Sequence, residues 1–156
     1  MKRGLLIAGR VILGGIFLYA GYAKLREPWL QFAVSLDTWK ILPETALEPF
    51  AKTLPWVEVV LGLATISGVL ARWFSLIATA LLTFFLGLGV WAYATGRQVD
   101  CGCFGSGGGQ LDARWFTEHG LMVALGLGVT VGAFLIRPTS AAPQPDPAEQ
   151  VKIGRL

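Results

Sequence analysis

The sequence predicts an all-α protein: a four-transmembrane-helix up-down bundle with a partly helical interfacial loop between the first two spans. Composition and length carry that prediction. Of 156 residues, 54% are hydrophobic and 15% charged, which is too apolar for a soluble domain of ordinary composition. Crossing a hydrocarbon core of ~30 Å as a helix takes ~20 mostly apolar residues, so the chain has room for about four spans and little else.

The elements follow in order. Span 1 runs from about Leu5 to Ala23. Its opening, MKRGLLIAGR, has the basic start of a secretory signal. Arg10 interrupts the apolar run, however, the run is too long for a signal core, and no hydrophilic domain follows, so it is expected to be retained. Residues 26–53 alternate polar and aromatic side chains, with Pro28, Pro43 and Pro49 as breakers, and are expected to form one or two short helices at the interface. Span 2 extends from about Leu54 to Leu70, with Pro55 in its first turn. Ala71 and Arg72 then turn the chain into span 3, Trp73 to Thr95, and span 4 covers Phe116 to Ile136. These spans make one membrane domain over residues 1–136. The rest, 137–156, includes the Pro-rich TSAAPQPDPAEQ, which cannot bury a core and is expected to be disordered.

Small residues predict which faces pack. Gly120, Ala124, Gly128 and Gly132 recur every fourth position of span 4, the spacing that lets helix backbones approach closely in lipid. On span 1, Arg10, Gly14, Phe17, Gly21 and Lys24 share one face. Arg10 falls near the surface opposite Lys24 and is expected to anchor or snorkel there.

An up-down bundle brings the end of span 1, the start of span 2, the end of span 3 and the start of span 4 to one membrane surface. Lys24, Glu58, Arg97, Asp100, Cys101, Cys103, Glu118 and His119 therefore gather at one mouth. Basic residues divide seven to six between the terminus side and the cysteine side. Under the positive-inside rule this leans toward cytoplasmic termini in a cell inner (plasma) membrane, with the cysteines on the periplasmic or extracellular side. A net charge of +3 without a clustered basic face gives no nucleic-acid footprint.

Both cysteines lie in VDCGCFGSGGG, residues 99–109. Three readings compete for them. A structural staple is poor, because a disulfide across one residue closes almost no loop. A soft-metal site for Cu(I) or Hg(II) suits thiolates, but a closed zinc site wants four ligands, and the chain has two cysteines and one histidine. Thiol–disulfide exchange fits a small ring whose departure from relaxed geometry makes it easy to reduce. Gly102 gives the backbone freedom to close that ring. Arg97 and the N-terminal end of span 4 favour a thiolate, while Asp100 opposes it or accepts a proton.

Three more ionisable residues support the mouth. Glu58 sits inside an apolar run, where a charge is costly and turns toward the bundle. Lys24, at similar depth on span 1, is its expected partner. The pair reads either as a structural clamp or as a proton-transfer site. His119, the single histidine, is either an interfacial anchor or a proton acceptor beside the thiols.

Taken in order, RVILGGIFLYAGYAKL (Arg10 to Leu25), LPWVEVVLGL (Leu54 to Leu63) and CGCFG (Cys101 to Gly105) resemble the MauE/DoxX family of redox-associated small membrane proteins, and its MauE-like branch most closely. The resemblance implies a four-helix membrane bundle that gives redox support to extracytoplasmic proteins. MauE-like proteins are associated with maturation of the disulfide-rich small subunit of methylamine dehydrogenase, and broader relatives occur beside thioredoxin-like proteins. By analogy with other four-helix membrane thiol oxidoreductases, a quinone is expected near the mouth, with Trp56, Trp91, Tyr93, Phe104 and Trp115 as aromatic surface. The expected function is thiol–disulfide exchange at Cys101 and Cys103 with a thioredoxin-like or client protein. The alternatives are a soft-metal binding or transport protein and a noncatalytic assembly factor.

Overall fold

The computed structural model describes residues 2–68, 70–97, 99 and 111–135. It is all-helical there: α1 (Lys2–Arg26), α2 (Trp29–Thr38), α3 (Glu44–Ser67), α4 (Ala71–Ala94) and α5 (Ala113–Leu135). All but α2 are long and apolar enough to cross a membrane. Cys101, Cys103, Asp100 and Phe104, and the tail at 137–156, lie outside the described residues.

Local chemistry sets most helix ends. Pro28 and Pro43 stand at the N-caps of α2 and α3. Asp112 caps α5, its Oδ1 accepting the Trp115 backbone N–H at 2.7 Å. Gly68, at φ 80°, ends α3 in the left-handed conformation that favours glycine, and its N–H bonds the Ala64 carbonyl.

Two expected boundaries are corrected. α3 begins at Glu44, ten residues before the expected Leu54, and carries Pro49 and Pro55 inside it. A proline removes one helical donor, which the helix tolerates where neighbouring groups take up the freed carbonyls. α2 buries Phe32 and Ala33 against Ala51 and Leu54, holding this stretch in place. α3 ends at Ser67 with Gly68 as its C-cap, and Ala71 and Arg72 already belong to α4.

The contacts run antiparallel around the bundle. Lys24 meets Glu58 and Arg10 meets Thr65, so α1 and α3 are antiparallel. Arg72 meets Ala133 and Thr79 meets Thr130, which gives the same for α4 and α5. Leu13, Phe17, Leu61, Ala78 and Val129 from the four long helices form the central core. α1 and α3 touch backbone to backbone: a Cβ on Gly14 would lie 2.7 Å from the Gly62 carbonyl oxygen, and one on Gly62 equally close to that of Gly14.

The small-residue stripe of α5 packs closely at Gly132, where a Cβ would lie 2.9 Å from the Leu6 side chain, but is not otherwise the packing face. Ala124 and Gly128 are exposed, and a Cβ on Gly120 or Gly128 would meet nothing within 4 Å. The buried face is Trp115, His119, Gly126, Val129, Thr130 and Ala133. Polar pairing decides the rotation: the Thr79 and Thr130 hydroxyls bond at 3.0 Å in the interior, and Gly126 packs on Thr79.

Arg10 does more than anchor. Its Nε donates to the Thr65 carbonyl at 3.1 Å and its Nη2 to that of Ile66 at 3.0 Å, closing the C-terminal turn of α3. Arg72 does the same for α5, donating from Nε to the Ala133 carbonyl at 3.2 Å.

Candidate functional site

At the other end of the bundle, all five helices line a cavity of about 230 Å³. α1 contributes Phe17, Ala20 and Lys24, α3 Phe50 and Glu58, and α5 His119 and Met122. α4 supplies a run of leucines and phenylalanines, while α2 and the segment after it supply Phe32, Leu36, Trp39, Ile41 and Leu42. The wall is thus apolar except where Lys24, Glu58 and His119 reach it.

Lys24 and Glu58 meet because α1 and α3 run antiparallel with glycines at their crossing. The Lys24 ammonium donates to both carboxylate oxygens, at 2.8 and 2.9 Å, and the two side chains are 3% and 6% exposed. A buried charge is tolerated only when paired and hydrogen-bonded, and the two-pronged contact answers both oxygens. The ammonium also stands 5.4 Å from the centre of the Phe32 ring, within cation–π range.

His119 is held by its own helix. Its Nδ1 lies 2.9 Å from the Trp115 carbonyl oxygen, and its ring stacks on the Trp115 ring at 3.9 Å with an angle of 22°. Because a carbonyl only accepts, Nδ1 carries the hydrogen, which makes Nε2 an acceptor in the neutral ring. Trp115 in turn fits against α4 where Gly89 leaves room for its outer edge. Trp115 Nε1 is buried, with no hydrogen-bond partner among the described residues.

The structure therefore brings Lys24, Glu58 and His119 to one cavity and leaves other expected mouth residues outside it. Glu118 pairs with Arg114 at 2.8 Å on an exposed face. Arg97 donates to the Trp39 carbonyl at 3.4 Å and lies over the Trp91 ring. Trp56, Trp91 and Tyr93 are exposed and do not line the cavity, and Trp115 is buried behind His119. Its aromatic wall instead comes from Phe17, Phe32, Trp39, Phe50, Phe84 and Phe85. The signal for the α2 part was present: Phe32, Ala33, Ser35, Leu36 and Trp39 fall at helical spacing along one face.

The chain flanking the cysteines is anchored to the same wall. Val99, two residues before Cys101, is buried with Trp39 and Ala92, and Leu88 and Leu111 pack against that cluster. Trp39 and Leu88 also line the cavity.

Against known proteins, the family described as "Methylamine utilisation protein MauE" matches residues 2–136. The chain is 30% identical over 134 residues to "Methylamine utilization protein MauE" of Paracoccus denitrificans, an alignment covering 84% of this chain and 71% of that protein. No solved structure matches the chain.

Proposed function

The chain belongs to the MauE family, and from that premise we propose that it is a membrane thiol–disulfide redox protein whose Cys101 and Cys103 exchange electrons with an extracytoplasmic thioredoxin-like or client protein. The observation that carries this reading is the anchoring of both flanks of the cysteine segment, Val99 and Leu111, in the cluster around Trp39. Both described flanks of the segment thus meet the bundle beside Trp39 and Leu88, which also line the cavity.

A thiolate of the client attacks one sulfur of the Cys101–Cys103 disulfide, that S–S bond breaks, and a mixed disulfide forms. The second client thiol then attacks the mixed disulfide, leaving the client oxidised and the loop as a dithiol, with two electrons and two protons transferred. The single glycine between the cysteines suits a strained, readily reduced ring. The relative's description points to a client among the proteins of methylamine utilisation.

The test is thiol trapping of exported cysteine-containing proteins in cells carrying Cys101→Ser or Cys103→Ser. Each variant is expected to leave the client in the dithiol form. An unchanged client redox state in both variants sinks the proposal. Tight Cu(I) binding by the reduced protein together with that result supports the metal-handling alternative.

A further inference from the structure

We propose that the cavity is a ring-sized site for a lipid-soluble quinone, entered from the bilayer past Phe84, with His119 and the Lys24–Glu58 pair as its polar wall. The electron-transfer part rests on the thiol-exchange reading above; the binding part does not.

Size comes first. Pockets that enclose a drug-sized ligand whole run to about 300–1,000 Å³, and this one holds about 230 Å³. One substituted ring fits, and any long tail must pass outside. The rim shows where. Among the lining residues, Phe84 is 59% exposed, Ile41 46% and Phe50 38%. Phe84 belongs to α4, which is apolar enough to span a membrane. An occupant entering across these side chains comes from lipid.

The wall chemistry then selects a ring over an acyl chain. A saturated chain offers nothing to an ammonium, a carboxylate or an imidazole. A quinone oxygen accepts from an ammonium, and once reduced its hydroxyl donates to a carboxylate or to an imidazole Nε2. Phe17, Phe32 and Trp39 supply planar faces for the ring itself. The step balances without any further reagent. The Cys101 and Cys103 thiols form one S–S bond and release two electrons and two protons, and the two quinone carbonyl oxygens take these to become hydroxyls.

The experiment uses the full chain in lipid nanodiscs with decyl-ubiquinone as probe, read by quenching of tryptophan fluorescence, since Trp39 lines the cavity. The wild type and the Cys101→Ser/Cys103→Ser double variant are expected to bind alike. Ala20→Phe, which fills the cavity from α1, is expected to weaken binding by about tenfold or more. Photolabelling of the wild type with an azido-quinone guards against misfolding of that variant and should mark peptides that line the cavity. Labelling elsewhere, equal binding by Ala20→Phe, or full competition by a saturated acyl chain overturns the inference. If quinone binding is absent while the client is still oxidised in a cysteine-dependent way, the quinone site falls and the thiol reading stands. If the quinone binds but client redox state ignores the cysteines, the thiol reading falls and the binding site stands.

Discussion

The Lys24 ammonium holds both carboxylate oxygens of Glu58, joining α1 to α3 with neither side chain more than 6% exposed. Removing one partner of such a pair strands the other charge, whereas replacing both by apolar groups of similar size is often neutral. Lys24→Met or Glu58→Gln alone should therefore cost about 3–5 kcal/mol in unfolding free energy measured in detergent. The double variant Lys24→Met/Glu58→Met should recover most of that loss. If the double variant is folded but fails in client oxidation, the pair acts in the chemistry as well as in the fold.

The reciprocal approach of Gly14 and Gly62 makes a sharper packing prediction. A Cβ at either position meets backbone carbonyl oxygen at 2.7 Å, and a backbone cannot swing aside as a side chain can. Gly14→Leu should separate α1 from α3 and lower stability by about 1–3 kcal/mol. Gly120→Leu and Gly128→Leu, where nothing lies within 4 Å of a Cβ, should leave the thermal midpoint unchanged.

Arg10 supplies two directed hydrogen bonds to the last turn of α3. Hydrogen bonds involving a charged group contribute about 1.5–3 kcal/mol. Arg10→Ala should lower stability by an amount of that order, and Arg10→Lys should restore only part of it, because an ammonium lacks the planar fork that spans two carbonyls. Chemical unfolding of the three proteins side by side checks the order.

Gly89 leaves the space that Trp115 occupies, and Trp115 carries the stacked His119 ring. Gly89→Ala should push Trp115 off α4 and displace His119 from the cavity wall. The expected readouts are a shifted tryptophan emission maximum and a loss of client oxidation, with helical content retained. Unchanged emission would show that the stack does not depend on Gly89.

Much of this architecture is legible in the chain because it follows from periodicity. The 3,4-spacing of Arg10, Gly14, Phe17, Gly21 and Lys24 marks the buried face of α1, and the lone carboxylate in the apolar run at Glu58 marks the partner of Lys24. What escapes a linear reading depends on other helices. Pro49 and Pro55 look like breakers, yet α2 packs on that stretch and α3 runs through them. The glycine stripe of α5 looks like a seam, but the Thr79–Thr130 bond turns a different face inward. Half of the aromatic wall of the cavity, Phe32, Trp39 and Phe50, comes from residues 32–50, whose inward placement depends on how α2 folds back. His119 was visible as a lone histidine, while its stacking partner could only be found in three dimensions.

The two arginine caps give the bundle a direction. At the end where α3 finishes and α5 finishes, Arg10 and Arg72 bind terminal carbonyls on neighbouring helices. The opposite end houses the cavity and the short α2. Carbonyls at a helix end have no partner within the helix, so the two arginine side chains should hold the last turns of α3 and α5 against fraying. Amide hydrogens in those two turns should exchange faster in Arg10→Ala and Arg72→Ala respectively than in the wild type.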